Sequence, residues 1–229
     1  MTDLDPRRWE ELDSAFQKAL TAGFTHYQAL NDKPVWQPIP DTVRQAFRTP
    51  LPDDPQPLDD LVARFRDELI PYSNGNTHPG FFGWVHGGGN LYGALGELCA
   101  ALLNNNMGGR DHLGHDVEKQ VMRWSRSLFS YPGSSSGLLT SGTSMSTLIA
   151  LAVARQGAVG TAVKNHGIQG RASPLVGYCS EQGHSSLVKA FQMLGLGSDA
   201  LRPVAVNDDF SLNTDSLADA VERDRRAGV

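Results

Sequence analysis

From residue 137 onward the chain alternates short apolar runs with helical patterns, and this rhythm limits its fold more than any other feature. GLLTSG (137–142) precedes a helical pattern over 143–155, PLVGYCS (174–180) precedes one over 185–194, and LRPVAV (201–206) precedes one over 214–225. Short strands alternating with helices predict βαβ units and a parallel sheet, so the expected class is α/β. Three strands fall short of the roughly five that such a sheet usually holds. The final residues follow a helix, where a further strand is due, so the sheet is expected to be incomplete in this chain.

The first seventy-five residues read differently. Trp9, Leu12, Phe16 and Leu20 fall at helical spacing and predict an amphipathic helix over 6–30. Seven prolines between 34 and 57 then predict an extended connector wrapped over another surface, with one short helix at 41–47. LDDLVARFRDELIPY predicts a second helix that Pro71 stops. HPGFFGWVHGGG (78–89) is dense in glycine and aromatics, which suits an ordered loop, and helical patterns follow at 91–104 and 115–129. The expected division is 1–75, a helical and proline-rich segment, and 76–229, the α/β part.

Composition excludes several function classes. A formal charge of −5 gives no basic face for nucleic acid. The longest apolar stretches are interrupted by polar residues, so no membrane span is expected, and the polar N-terminus lacks a signal-peptide core. Cys99 and Cys179 lie far apart in apolar surroundings and read as reduced core residues, so a cytoplasmic location is expected.

Three stretches carry candidate chemistry. In LTSGTSMS (139–146) a glycine turn opens a helix, whose first N–H groups lack acceptors and carry partial positive charge. With the hydroxyls of Ser141, Thr143 and Ser144, the turn at Gly142 is a candidate phosphate cradle, although a hydroxyl residue there equally caps a helix. A Walker loop needs a lysine that this turn lacks, and a nucleophile elbow needs a glycine where Ser146 stands. Asp111, His112, His115 and Asp116 have metal-ligand chemistry but no recognised ligand spacing, so no metal is expected; His115 or Asp116 capping the next helix is the plainer reading. In YCSEQGHSS (178–186), His184 follows an apolar run at its carboxyl end, where open α/β sheets bind ligands. His184 and the Ser141–Ser144 turn are therefore expected on one edge of one sheet.

Taken in order, HPGFFGWVHGGG, GLLTSGTSMSTLIALAVAR and YCSEQGHSS followed by LRPVAVNDDFSLNTDSLADAV resemble the pyridoxal-phosphate-dependent amino-acid decarboxylases, the group with the aromatic amino-acid and glutamate decarboxylases. The resemblance runs over nearly the whole chain. It implies the N-terminal part of a fold-type I large domain, preceded by a helical segment that interlocks two subunits of a dimer. It further implies pyridoxal 5'-phosphate as cofactor, an L-amino acid as substrate and decarboxylation as the reaction. Gly142, Thr143 and Ser144 fall where the family holds the cofactor phosphate, and His184 where an imidazole covers the pyridine ring near the substrate carboxylate. Trp84, Val85 and His86 fall on the loop lining the substrate pocket, and Asn104 and Asn106 where residues reach it from the neighbouring subunit.

The family's Schiff-base lysine follows a histidine, and the cofactor's ring nitrogen pairs with an Asp. The five lysines here, Lys18, Lys33, Lys119, Lys164 and Lys189, do not match that pattern. The expectation is a split or truncated enzyme completed by a C-terminal polypeptide that carries the lysine. The alternatives are a non-catalytic interaction subunit derived from such an enzyme, or a pocket turned to another phosphorylated ligand.

Overall fold

The computed structural model describes residues 8–169 and 174–229, which divide into two compact units between Asn106 and Met107. The expected helix start at residues 6 and 7 lies outside the described residues.

In the first unit, α1 (Trp9–Gln28) packs on α3 (Leu58–Arg64) and on the single π-helical stretch Phe65–Leu69 that continues α3. Ala15 is the α1 residue that becomes buried; of the apolar positions of the sequence pattern, Leu12 is half-buried while Trp9, Phe16 and Leu20 stay exposed. The proline-rich connector holds the short helix α2 (Asp41–Ala46) and is pinned to the residues after Pro71. Gln37 Nε2 donates to the Pro71 carbonyl at 2.9 Å, and the His78 ring bonds the Lys33 carbonyl at 3.1 Å. Gly75 has φ +80° and sits so close to the Val35 carbonyl that no side chain fits there. Helix α4 (Leu91–Leu103) is capped by Asn90, whose Oδ1 accepts from the Gly93 amide at 2.8 Å, and it buries none of its residues. Cys99 therefore stands exposed, not in a core; both cysteines are free, and Cys179 is half-buried.

In the second unit, α5 (Leu113–Leu128) is followed by α6 (Thr143–Val159), the short α7 (Val163–His166), β1 (Gly177–Ser180), α8 (Ser186–Met193), β2 (Leu201–Val204) and α9 (Thr214–Arg226). The single turn of α7 is a helix that the sequence pattern does not predict. β1 and β2 pair in parallel, Gly177 opposite Leu201 and Ser180 opposite Val204, with α8 as the connection between them. Val204, Ala190, Phe191, Leu194 and Ala220 form the core where α8 and α9 meet β2. Phe191 is 3% exposed and lies over the first residue of β1. A Cβ on Gly177 would stand 2.6 Å from its Cζ. Gly177→Ala is expected to overpack this contact and destabilise the unit by about 1–3 kcal/mol, read as a lower unfolding temperature.

The third expected strand is not formed. Residues 137–142 join no ladder among the described residues, and the Leu139 amide donates to the Glu118 carboxylate at 2.9 Å. A strand exists through its neighbours, and no described strand lies alongside this one. The expected common sheet edge for His184 and the Ser141–Ser144 turn is accordingly not realised.

One half-buried network ties β1, β2 and α9 together. Arg202 on β2 grips Asp224 on α9 through Nε at 3.2 Å and Nη2 at 3.3 Å, and the Tyr178 hydroxyl on β1 donates to the same carboxylate at 2.8 Å. Arg202, then the Tyr178 hydroxyl, hold the Asp224 carboxyl below its ordinary value. Burial and the Asp224 carboxylate push the Tyr178 phenol up. A depressed carboxyl stabilises above the ordinary carboxylate range and loses that contribution as pH falls through its lowered pKa. A raised phenol stabilises below its ordinary range and loses that contribution as pH rises. Urea midpoints measured downward from neutral pH are therefore expected to fall below about pH 4, and Asp224→Asn is expected to flatten this acid limb. An acid limb unchanged in the variant would remove Asp224 from the account.

Candidate functional site

The turn before α6 is built by glycine. Gly142, at φ +155° and ψ 167°, adopts a backbone conformation essentially reserved for glycine, and no side chain caps the helix it opens. The Met145 and Ser146 amides close back onto the Gly142 carbonyl at 3.0 and 3.1 Å. The Thr143 and Ser144 amides have no acceptor among the described residues, so they remain donors at the positive end of a 17-residue helix. Thr140 braces the turn from below: its Oγ1 donates to the Gly142 carbonyl at 3.1 Å or shares a proton with Ser146 Oγ at 2.6 Å. Thr140 carried no signal in the sequence beyond being a hydroxyl residue two positions before a glycine.

His184 lies in the turn between β1 and α8 and is exposed. Its Nδ1 accepts the Ser186 amide at 3.2 Å and lies 2.9 Å from Ser186 Oγ, so the imidazole bonds the first residue of α8. The preceding turn is tight: the Gly183 amide donates to the Ser180 carbonyl at 2.8 Å, and a Cβ on Gly183 would stand 2.9 Å from that oxygen. The ring therefore leaves β1 in a fixed direction. No hydrogen bond or ring contact joins His184 to the 140–146 turn among the described residues. The two share the second unit, where α6 packs on α8 and Arg155 Nη1 of α6 donates to the Leu194 carbonyl at 2.7 Å.

Trp84, Val85 and His86 belong to the first unit and form an ordered loop. The His86 ring stacks with Phe81 at 5.8 Å and with Trp84 at 5.6 Å between centroids, the planes within 23° and 26° of parallel. Trp84 is held at φ 54°, a region costly for a bulky residue. Asn76 Nδ2 donates to the Gly87 carbonyl at 2.8 Å and closes the loop. Phe82 is 94% and Trp84 84% exposed, so large apolar rings stand ready for another surface. Asn104 takes the left-handed C-cap of α4 at φ 44°, as asparagine tolerates, and Asn106 follows two residues later.

The stretch 111–116 has a structural role of its own. His112, not His115 or Asp116, caps α5, its Nδ1 accepting the Gly114 amide at 3.2 Å, and its ring stacks on His115 at 4.6 Å. A histidine accepts at the residue before the helix, a place neither His115 nor Asp116 occupies. Among the described residues no group of three or more His, Cys, Asp or Glu is placed to hold a metal ion. Nor is any described helix long and apolar enough to cross a membrane.

Residues 40–229 match the pyridoxal-dependent decarboxylase conserved domain. Phenylacetaldehyde synthase of Arabidopsis thaliana is 28% identical over 218 residues, covering 89% of this chain and 43% of that protein. The aromatic-L-amino-acid decarboxylase of Bacillus atrophaeus is 25% identical over 224 residues, covering 96% of this chain and 44% of that protein. The fold superposes on the crystal structure of Oryza sativa TDC with PLP and tryptamine at a TM-score of 0.84, with 21% identity, over 99% of this chain and 48% of that one. The chain thus spans a little under half the length of the relatives it matches.

Proposed function

Because the chain belongs to the pyridoxal-dependent decarboxylase family, we propose that it supplies the N-terminal part of a pyridoxal-phosphate-dependent lyase that decarboxylates an L-amino acid. The observation that carries this reading is the Gly142 turn, which leaves two adjacent amides without acceptors at the start of a long helix. That is the donor set a phosphate monoester needs, charge-complementary and free of any side chain that would fill it. In this reading Gly142, Thr143 and Ser144 hold the cofactor phosphate through amides and a hydroxyl. His184 covers the pyridine ring and lies near the substrate carboxylate. Trp84, Val85 and His86 line the substrate pocket, and Asn104 and Asn106 reach it from the neighbouring subunit of a dimer.

When bound, the cofactor supplies the electron sink that accepts the carbanion left by loss of CO2. The tasks of this chain are to bind, orient and exclude water. Residues 1–75 serve as the interlocking segment and 76–229 as the first part of the cofactor-binding domain, working in the cytoplasm. The Schiff-base lysine and the Asp for the ring nitrogen come from a completing C-terminal polypeptide.

Two features support completion by further polypeptide. The apolar face of α5, with Val117, Trp124 and Leu128, is exposed, Leu128 at 82%. So are Tyr92, Leu95, Leu102 and Leu103 of α4. Contiguous apolar faces of this kind mark surfaces that another polypeptide covers.

The assembled protein, loaded with pyridoxal phosphate and offered aromatic and acidic L-amino acids, is expected to release one amine and one CO2 per amino acid consumed. Cofactor binding with no CO2 from any amino acid would favour the non-catalytic interaction subunit.

A further inference from the structure

We propose that Ser186 is a positioning residue that sets which nitrogen of His184 carries the proton, leaving Nε2–H as the atom the ring offers to a ligand. Ser186 is 8% exposed and is the one buried polar residue among the described residues. Buried polar groups are retained where they are bonded, and the hydroxyl of Ser186 has His184 Nδ1 as its partner at 2.9 Å. The same nitrogen faces the Ser186 backbone amide at 3.2 Å.

A backbone amide only donates, so the nitrogen that receives it carries a lone pair and no proton. The serine hydroxyl rotates freely and donates to the same lone pair. The opposite tautomer would point one N–H at another. In neutral His184 the proton therefore sits on Nε2, which has no partner among the described residues. The exposed ring thus presents a donor and a flat face.

The same chain holds an internal example. His78 Nδ1 accepts the Gly80 amide at 2.8 Å, and its Nε2 lies 3.1 Å from the Lys33 carbonyl, which only accepts. Both nitrogens of His78 are thereby assigned, and they match the assignment for His184. In His184 the outward position is left open, and a donor there suits an anionic oxygen such as a substrate carboxylate. It does not suit removal of a proton by Nε2. This last step rests on the function proposed above; the tautomer does not.

The test places 15N in the seven histidine rings of this chain and reads them by NMR in the protein as isolated, at about pH 9, above the ordinary histidine range. His184 is expected to show a bare Nδ1 and a proton-bearing Nε2 as a single form, with His78 as the reference. Ser186→Ala keeps the amide and is expected to keep this pattern. Ser186→Pro fits the first turn of a helix but removes the amide, and is expected to shift His184 toward an exchanging mixture while His78 stays unchanged. A proton on Nδ1 of His184 in the parent protein overturns the proposal. So does an unchanged His184 in Ser186→Pro with His78 intact. Pyridoxal phosphate binding is followed separately by absorbance. A completed protein, carrying the C-terminal polypeptide, that has the expected tautomer and binds no cofactor would sink the functional reading while leaving the role of Ser186 standing.

Discussion

His184→Ala in the assembled protein is expected to weaken retention of pyridoxal phosphate by up to about tenfold, the worth of one aromatic stacking contact. It is expected to lower kcat/KM further, by about a hundredfold, because in the proposed function the reacting carboxylate loses the group that orients it. The fold should survive. His184 is exposed, and the structural bond it makes is a hydrogen bond to the first amide of α8, worth about 1 kcal/mol or a fall of a few degrees in unfolding temperature. His184→Phe separates the two contributions, since it keeps a flat ring but has no donor. Cofactor retention near the parent level with the same loss of kcat/KM would assign the second effect to Nε2–H. Fluorescence titration of the cofactor, steady-state kinetics and a thermal melt read all three quantities. Unfolding of the alanine variant would make His184 a structural residue only.

Much of this was legible in the residues, and the exceptions have physical causes. The longer helices read correctly because their signals are local: Pro71 stops α3 and its π-helical continuation, and Asn90 and Asn213 cap α4 and α9 through their own side chains. The Gly142 turn was legible because only glycine adopts that backbone conformation readily. The strand expected at 137–142 misled because apolar run and β-propensity are local, whereas a ladder depends on a neighbour that the sequence of the strand does not specify. Exposure misled in the same way. Cys99, Trp9 and Phe16 lie in apolar patterns that predict burial, but a pattern does not say which polypeptide does the burying. His112 as a cap, and Ser186 beneath His184, escaped notice because a histidine bonding the amide two residues on has no compositional signature.

The larger effect concerns the Schiff-base lysine. The chain mixed with pyridoxal phosphate alone is expected to show no decarboxylation. Adding a C-terminal polypeptide of the family that carries the lysine and the ring-nitrogen Asp is expected to restore turnover from none to that of an ordinary enzyme, on the order of 1–10³ per second. Restoration should saturate at one C-terminal polypeptide per chain. Binding should also protect the exposed tryptophans: Trp124 on the uncovered face of α5, and Trp84 on its loop, are expected to become less accessible to a fluorescence quencher. Turnover by this chain alone would show that one of Lys18, Lys33, Lys119, Lys164 or Lys189 anchors the cofactor.

The most direct measurement is therefore borohydride reduction of the assembled protein with pyridoxal phosphate, followed by mass spectrometry of the peptides. The predicted result is the reduced cofactor on a lysine outside these 229 residues, one that follows a histidine, with the five lysines of this chain unmodified. Stoichiometric trapping on any of those five, or no trapping at all in the completed protein, would contradict the account.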